Sequence, residues 1–362
     1  MNKWKKVKLG KQLKRIRTGK LDANASSENG IYPFFTCSVF PLKIGTYSYD
    51  CECVIVAGNG DLNVKYYNGK FDAYQRTYIL EVLDKNILNT RYFYYFMKDY
   101  IDILRTKTKG GVIKYIRLND IADAEIPLPA MEEQRKIAQR LDAVSDLLAK
   151  QKQLLAEQDN LIQSTFYDMF LKQNFSKRKI VDFVETDVKN AKKIFNKNNF
   201  IKYIDISSID NNSNIITGYT HIEFCDAPSR AQQVVKKNDI LVSTVRPNLK
   251  NIALIKFNDN NLVASSGFCV LRAKNIEPVF LLYNVLSQDF TEKMVSAVTG
   301  ANYPAIKNSD ILNYKIPVPP LELQEKFAAI VEQIESEKSK IKSAIAETQT
   351  LFNSMMSEYF EE

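Results

Sequence analysis

The chain has 362 residues, 45% of them hydrophobic, and a formal net charge of +8, which is typical of a folded protein with two domains and excludes a disordered polymer. No apolar run reaches the roughly 18–20 residues that cross a bilayer, and the first residues are charged, so we expect a cytoplasmic protein. The five cysteines lack zinc-binding spacing, and His221 is the only histidine. We therefore expect free thiols and no metal site.

The charge alternates along the chain. Residues 1–125 carry a net +8 and residues 171–315 a net +7, whereas residues 126–170 carry −2 and residues 316–362 carry −5. Basic folded segments attract polyanions such as nucleic acids. This distribution predicts polyanion binding by the two basic segments and protein contacts by the two acidic ones.

The first basic segment, residues 1–125, predicts a mixed α/β domain. Short β-rich runs are separated by turn sequences such as Asn59-Gly60. An aromatic helix candidate follows around residues 92–97.

Residues 126–170 predict one long helix. The Ile-Pro-Leu-Pro sequence at residues 126–129 forces an extended approach, and neither proline nor glycine occurs from residue 131 to residue 170. Glu132 and Glu133 occupy the first turn, where the helix dipole favours anions. The seven-residue spacing of apolar positions predicts a coiled coil. These positions are Leu141, Leu148, Leu155, Ile162 and Met169.

The second basic segment, residues 171–315, resembles the first loosely and predicts a second mixed α/β domain. An apolar helix candidate lies around residues 280–286. The corresponding strand runs are residues 53–57 with 239–243, and residues 76–80 with 266–271.

The last segment, residues 316–362, repeats residues 126–170 at a shift of 190, with 14 identities in 45 positions. This repeat indicates a duplicated scaffold. Polar residues interrupt both apolar seams, and such positions fix the register and partner of a coiled coil. We predict that the two helices pair antiparallel within one chain; a homodimeric coiled coil is the alternative. The interrupting residues are Gln151, Gln158, Lys338 and Thr348.

Together the segments predict an α+β fold with a pseudo-twofold internal repeat. Two mixed α/β domains, residues 1–125 and 171–315, are separated by two long antiparallel coiled-coil helices, residues 126–170 and 316–362.

Motifs for catalysis are missing from the sequence. No Asn-Pro-Pro-aromatic or Asp-Pro-Pro-aromatic loop of a DNA methyltransferase occurs, and no P-loop for ATP. Gly58-Asn59-Gly60 follows a strand as a cofactor loop would, but residues 62–67 continue as a strand instead of a helix. We therefore expect no catalytic residue and no cofactor bound by this chain.

The duplicated spacer sequences carry a family resemblance. Residues 126–134 and 316–324 both combine Ile-Pro-hydrophobic-Pro with a glutamine before a long helix. Residues 237–250 (KNDILVSTVRPNLK) and 299–307 (TGANYPAIK) add motifs of the second domain. Over nearly the whole chain, these features resemble the specificity subunits of type I restriction-modification systems.

The resemblance implies a non-catalytic DNA-recognition subunit. Each target-recognition domain would read one half of a bipartite double-stranded DNA site, and the helices, each roughly 60 Å long, would set the gap. Two methyltransferase (modification) subunits would dock on the helices and recruit restriction motor subunits, with no membrane involved. S-adenosylmethionine, ATP and magnesium would be bound by these partners.

The resemblance also implies that polar residues of both domains contact DNA. Cations can neutralise phosphates or contact guanine, and amides can pair with adenine N6 and N7. The first domain has Ala-Gly-Asn-Gly at residues 57–60 and lacks the Arg-Pro pair of the second. Its candidates are Asn59, Tyr74, Gln75, Arg76, Lys107, Lys109 and Lys114. Those of the second domain are Arg230, Gln232, Gln233, Arg246, Asn248, Lys250, Asn302, Tyr303 and Lys307.

Other functions stay open at this point. The chain could be the recognition subunit of a related type II methyltransferase-nuclease. A coiled-coil protein adaptor without DNA binding would leave the charge of the basic segments unexplained. An enzyme with an undetected motif would turn over DNA when purified alone.

Overall fold

The computed structural model describes residues 4–110, 114–185, 187–299 and 304–361. The chain divides into unit 1, which combines Met1–Leu154 with Ile341–Glu362, and unit 2, Leu155–Lys340. Both units contain helices and sheets, so the predicted α+β class is confirmed. In the described ranges, no helix is both long and apolar enough to cross a bilayer.

The core of unit 1 is built on a six-stranded sheet. The strands of the unit are β1 (Lys6–Lys8), β2 (Arg17–Thr18), β3 (Tyr32–Phe35), β4 (Leu42–Ile44), β5 (Tyr49–Ala57), β6 (Val64–Ala73), β7 (Thr77–Leu80) and β8 (Glu125–Pro127). The large sheet has the order β2-β7-β5-β6-β3-β4, in which only β3 and β6 are parallel, and β1 pairs with β8. Strand β5 lies inside the sheet because residues 53–57 form an apolar run that is fully buried.

Helix α1 (Thr90–Thr106) packs on β5 and β6. It begins after Asn89, whose side chain accepts a hydrogen bond from the Tyr92 backbone N–H and so satisfies a free donor of the first turn. Its buried aromatic face joins the main core of the unit. Short α2 (Leu118–Ala122) precedes β8, and α3 (Met131–Phe166) follows it.

Unit 2 contains two four-stranded sheets. Its strands are β9 (Lys177–Lys179), β10 (Val184–Glu185), β11 (Phe200–Ile204), β12 (Ile209–Asp210), β13 (Ile215–Ile216), β14 (Thr220–Glu223), β15 (Ala231–Val234), β16 (Asp239–Ser243), β17 (Ile252–Leu254), β18 (Leu262–Ser265), β19 (Phe268–Ala273) and β20 (Lys315–Pro317). The sheet orders are β10-β19-β16-β17 and β14-β11-β18-β15, with β11 and β18 parallel; β12 pairs with β13, and β9 with β20. The helices are α4 (Pro278–Leu286), α5 (Gln288–Ser296), α6 (Asn308–Leu312) and α7 (Leu321–Phe360).

The duplicated Ile-Pro-hydrophobic-Pro sequences form the same structure twice. In unit 1, β8 carries Ile126 and pairs with β1; in unit 2, β20 carries Ile316 and pairs with β9. Gln134 in the first turns of α3 is fully buried. Its Oε1 accepts a hydrogen bond from Asn89 N at 2.9 Å, and its Nε2 donates to Pro129 O at 2.8 Å.

Gln324 makes the matching bonds in unit 2. Its Oε1 accepts from Glu277 N at 3.0 Å, and its Nε2 donates to Pro319 O at 2.9 Å. Like Asn89, Glu277 is the N-cap residue of the helix that follows it. Each repeated glutamine therefore joins the start of a domain helix to the start of a long helix, which explains its place in the motif.

Helices α3 and α7 pair antiparallel within unit 1. Gln151 Nε2 donates to Thr348 Oγ1 at 3.2 Å, and Arg140 donates to the Tyr359 hydroxyl at 3.3 Å. Higher numbers on α3 therefore meet lower numbers on α7. Two of the polar seam positions, Gln151 and Thr348, therefore contact each other.

The same antiparallel order holds within unit 2. Lys338 lies 2.6 Å from Asp159, and the Phe166 and Phe327 rings lie 5.4 Å apart.

In the described part of the chain, the buried Oε1 atoms of Gln151 and Gln158 have no hydrogen-bond partner. Such atoms cost stability but can specify a partner.

The long helices differ slightly from their predicted bounds. Helix α3 ends at Phe166 and passes into a π-helical turn at Tyr167–Leu171, whereas the sequence predicts one helix to residue 170. The division into units falls within both long helices, so the four-segment domain division remains a prediction.

Candidate nucleic-acid interface

The loop after β16 in unit 2 presents Arg246, Asn248 and Lys250. Arg246 has a φ of 48° and Lys250 a φ of 52°, on either side of a 3₁₀ turn at Pro247–Leu249. The left-handed region costs a side-chain-bearing residue about 1–2 kcal/mol. Strain of this kind concentrates at functional sites, where the surrounding structure holds it.

Hydrogen bonds on both sides hold this loop in place. Arg246 N donates to Pro304 O at 2.9 Å, and Asn214 Nδ2 donates to Lys250 O at 2.9 Å. Lys250 Nζ lies 3.1 Å from Gln288 Oε1 of α5, beside a pocket of about 470 Å³ that Asn248 also lines. The Arg246 and Asn248 side chains remain exposed, so the loop displays a cation and an amide from a fixed backbone.

The corresponding loop of unit 1 follows β5. Gly58 N donates to Arg76 O at 2.8 Å, and Gly60 N donates to Lys114 O at 3.1 Å. Gly60 has a φ of 67°. A Cβ at Gly58 would lie 2.4 Å from Arg76 O, so this close approach requires glycine.

The hydrogen-bond patterns of the two loops coincide. Thr244 N donates to Gly267 O at 2.9 Å as Gly58 N does to Arg76 O, and Arg246 N donates to Pro304 O as Gly60 N does to Lys114 O. The strand registers agree, because Leu80 lies opposite Val54 as Leu271 lies opposite Ile240. Gly60 therefore occupies the backbone position of Arg246. The equivalent residues are Gly58 with Thr244, Gly60 with Arg246, Arg76 with Gly267, and Lys114 with Pro304.

Four candidates of unit 1 come together around this loop. Asn59 lies within it, and the backbones of Arg76 and Lys114 bond to its glycines. Lys109 pairs with Tyr115 through two 2.9 Å backbone bonds, and Tyr115 bridges to Asn59. The side chains of Arg76, Lys109 and Lys114 are exposed, so three exposed cationic residues lie on the backbone segments that adjoin Asn59.

The other candidates of unit 1 have more varied surroundings. Tyr74 N donates to Phe35 O at 2.9 Å, and Gln75, which is exposed, follows it in the turn before β7. Lys107 Nζ bonds to the Tyr100 hydroxyl at 2.8 Å. The Lys107 ammonium group therefore already has a hydrogen-bond partner within the chain, whereas the Gln75 side chain is exposed.

Gln233 of unit 2 has a structural role. Its Nε2 donates to Ser265 O at 2.7 Å and to Phe268 O at 2.9 Å. Both amide hydrogens are therefore used within the protein, and the predicted adenine contact, which needs one of them, is not available in this arrangement. We correct the assignment of Gln233 from base contact to support of β18 and β19.

The remaining candidates of unit 2 are Arg230, Gln232, Lys307, Asn302 and Tyr303. Arg230 is exposed, and its carbonyl accepts from Ser266 N at 2.8 Å, next to Gly267. Gln232 Nε2 donates to Ser229 O at 2.7 Å. Lys307 is exposed at the start of α6. Asn302 and Tyr303 lie outside the described residues.

A polar network beneath the unit 1 loop was not predicted. The Cys37 thiol donates to Asn59 Oδ1 at 2.8 Å, and Asn63 Nδ2 donates to Cys37 O at 2.8 Å. Lys65 donates to Asn63, and burial lowers the pKa of Lys65 to about 8. With Oδ1 of Asn59 accepting from Cys37, its Nδ2 is the group left to donate outward. That favours contact with guanine or thymine acceptors over a two-bond contact with adenine.

Residues elsewhere in unit 2 include one compact group of possible metal ligands. Ligand atoms of Glu223, Cys225 and Asp226 all lie within 4.8 Å of one another on the surface. Exposed acidic groups commonly have this proximity without a metal, and the group lies outside the loops described above.

Three comparisons relate the chain to known proteins. The family model described as "Type I restriction modification DNA specificity domain" matches residues 1–158 and 172–348. The chain is 29% identical to the type I restriction enzyme EcoDI specificity subunit of Escherichia coli, over 99% of this chain and 88% of that protein. It is 23% identical to the MjaVIII specificity subunit of Methanocaldococcus jannaschii, over 92% and 86%.

Solved structures share the fold. The chain superposes on the type I restriction-modification S subunit from M. genitalium with a TM-score of 0.66 at 18% identity, over 100% of this chain and 97% of that one. A second solved chain, from work on complex assembly and conformational transition of the type I R-M system, gives a TM-score of 0.56 at 18% identity, over 99% and 97%.

Proposed function

The chain belongs to the type I restriction-modification DNA specificity family, and we propose on this premise that it is the DNA-recognition subunit of a type I restriction-modification complex. Unit 1 reads one half of a bipartite double-stranded DNA site, and unit 2 reads the other. A DNA target of this kind places the protein in the cytoplasm.

The observation that carries this proposal is a loop that occurs in both units with a different residue at the same backbone position. Gly60 and Arg246 both have positive φ and both donate their N–H to the matching segment before the long helix. The scaffold is therefore kept while the displayed side chains differ. Two readers of different sequences require this combination.

The displayed side chains divide by chemistry into two groups. Exposed cations neutralise phosphates or contact guanine O6 and N7, and exposed amides contact base edges in the major groove. We assign Arg246 and Asn248 of unit 2 and Asn59 and Arg76 of unit 1 to base contacts. The positions assigned to phosphate contacts are Lys109, Lys114, Arg230 and Lys307. Lys250, which is half-buried and bonds to Gln288, has no assigned contact. Gln75, Tyr74, Lys107, Gln232, Asn302 and Tyr303 remain candidates without an assigned contact.

The long helices bind the methyltransferase subunits and set the gap between half-sites in this proposal. Helix α3 exposes Leu147 and Leu154 at seven-residue spacing in unit 1, so they share one outer face. Leu161, in unit 2, is exposed as well. Leu351 of α7 corresponds to Leu161 and is also exposed. An exposed apolar face on an acidic helix fits a protein partner better than DNA.

The partner subunits carry out all catalysis in this account. The methyltransferase subunits supply S-adenosylmethionine, and the restriction motor subunits supply ATP and magnesium. This chain contributes recognition without a catalytic residue. Purified alone, it is expected to show no methyl transfer, no ATP hydrolysis and no DNA cleavage.

Methylation mapping with one substitution tests the proposal. The chain is co-expressed with its neighbouring methyltransferase, and methylated genomic DNA is mapped by single-molecule sequencing. We expect a bipartite motif, in which Arg246→Ala relaxes one position of one half and leaves the other half unchanged. Lys237→Ala is the matched control, because Lys237 is exposed beyond the opposite end of β16.

Two results would contradict the proposal. Without any motif, the chain would be a coiled-coil adaptor. Restriction and methylation by a single fused partner would instead identify a related type II methyltransferase-nuclease.

A further inference from the structure

The hairpin formed by β3 and β4 exposes several large apolar side chains. Val39 is 56% exposed and Phe40 is 81% exposed in the loop at residues 36–41. Leu42, at the start of β4 beside this loop, is also exposed, whereas the exposed Ile31 and Tyr47 lie at the other end of the hairpin. Single exposed apolar residues are ordinary, but a group of them on one element marks a binding surface.

Internal hydrogen bonds fix this loop. Ser38 N donates to Thr36 Oγ1 at 3.2 Å, and Ser38 Oγ donates to Phe40 O at 2.6 Å. Pro41 restricts the backbone on the other side of Phe40. The ring is therefore displayed from an ordered loop, which lowers the entropy lost when a partner binds.

The loop borders the candidate interface of unit 1. Cys37 bonds to Asn59 Oδ1, and its Sγ lies 3.7 Å from Arg76 O. Phe40 follows Cys37 by three residues, so their Cα atoms are at most about 11 Å apart. Phe40 therefore lies close enough to the Asn59 amide for one major groove, about 12 Å wide, to contact both.

We propose that Phe40 is an apolar base-contacting residue of the first half-site, packing on base edges such as the thymine methyl group while Asn59 and Arg76 donate hydrogen bonds. This inference rests on the proposed DNA-recognition function. DNA is favoured over a protein partner because the exposed Lys109 and Lys114 adjoin the Gly58–Gly60 loop, to which Cys37 is bonded through Asn59, and lysine is depleted in the cores of protein interfaces.

Unit 2 has a parallel arrangement. Leu249 is 39% exposed between Asn248 and Lys250 in the loop that carries Arg246. Each unit therefore has an exposed apolar side chain near its loop, but the two come from different elements, Phe40 from the loop between β3 and β4 and Leu249 from the loop after β16. An apolar contact accompanies polar contacts in both readers.

The test measures binding by the assembled complex with the methyltransferase subunits. The DNA is a duplex of about 40 bp that carries the mapped motif, and the control duplex has a scrambled first half. Phe40→Ala is expected to weaken binding to the motif duplex about tenfold and to relax the first half-site. The dependence of affinity on salt should stay unchanged, because an apolar contact releases no counterions.

Two further variants serve as references. Arg76→Ala should weaken binding and also reduce the salt slope by about one. Leu83→Ala should match the wild type, because Leu83 is 59% exposed but follows the opposite end of β7 from Arg76.

The inference is overturned if Phe40→Ala binds the motif duplex within twofold of the wild type. It is also overturned if the variant loses methyltransferase subunits while the remaining complexes keep their half-site preference, because Phe40 would then contact protein. A wild-type complex without any sequence preference would refute the proposed function instead.

Discussion

At the residue scale, the backbone conformation of Arg246 lowers stability, while the side chain that it displays serves function. A left-handed conformation is costly for arginine, and glycine stands at the equivalent position of unit 1. Nothing in the fold of the loop requires a side chain there. The side chain is therefore retained for what it contacts, which is DNA in this account.

Replacing Arg246 with glycine should separate the two properties. Relief of strain of about 1–2 kcal/mol is partly offset by the extra chain entropy of glycine, so stability should rise by up to about 1 kcal/mol. Loss of a base contact should weaken DNA binding by about 1–3 kcal/mol. Thermal unfolding and fluorescence anisotropy measure the two effects. A fall in both quantities would show that Arg246 supports the fold.

Asp99 on α1 provides a pH-dependent test of the unit 1 core. Burial, with the nearby charges of Glu361 and Asp102, raises the pKa of Asp99 to about 6. Its contribution to stability is therefore present below about pH 4 and is lost as the pH rises through about 6.

Asp99→Asn should remove this dependence. At pH 8 the free energy of unfolding of the variant should exceed that of the wild type by on the order of 1 kcal/mol, after a discount for solvent screening of the charge, and the variant should unfold at a higher temperature. Near pH 4 the two proteins should have the same stability. Differential scanning calorimetry across pH measures the difference. The exposed Asp146 of α3 gives the control exchange. A difference that persists at pH 4 would contradict the assigned cause.

Single side chains were only partly predictable from the sequence. The run that contains Arg246 and Asn248 does form an exposed loop, since its proline and asparagine are turn residues. Gln233 was assigned wrongly, because its bonds to β18 and β19 depend on distant backbone. Phe40 was not predicted, because its exposure depends on how the β3–β4 hairpin folds.

At the element scale, the buried glutamines explain the spacer motif. Gln134 and Gln324 each satisfy a backbone N–H of an N-cap residue and a proline carbonyl. Both are buried, so an apolar residue would leave these backbone groups unpaired. The motif therefore encodes a joint between two helices.

Gln134→Leu and Gln324→Leu should each destabilise the protein. An unsatisfied buried polar group costs about 1–3 kcal/mol, and the substitution removes the partner of three backbone groups at Gln134 and of two at Gln324. We expect a loss of about 2–4 kcal/mol in each variant, measured by urea unfolding. Gln173→Leu, at an exposed position, is the control. An effect under about 0.5 kcal/mol would remove the glutamines from the account of the repeat.

Long elements were the most predictable. Seven-residue spacing without proline or glycine predicted α3 and α7 almost to their ends, because the pattern extends over many turns. The π-helical turn at Tyr167–Leu171 was not predicted, since no residue type marks it. The parallel pairing of β3 with β6 also depends on tertiary structure that local patterns do not record.

At the scale of the whole molecule, duplication organises both charge and structure. The two basic segments lie in different units and contain the same loop pattern, and the acidic segments contain the long helices. The repeat, together with the motifs at residues 237–250 and 299–307, was sufficient to predict the family. The DNA half-sites were not predictable, because base contacts depend on side chains displayed by loops whose geometry only the fold defines.

Exchange of one target-recognition segment tests the central claim most directly. Residues 171–315 are replaced by the corresponding segment of a relative with a different motif, and methylation is mapped by single-molecule sequencing with the same methyltransferase. The account predicts a hybrid motif in which one half changes and the other half is retained. A motif that changes in both halves, or in neither, would contradict independent reading by the two units.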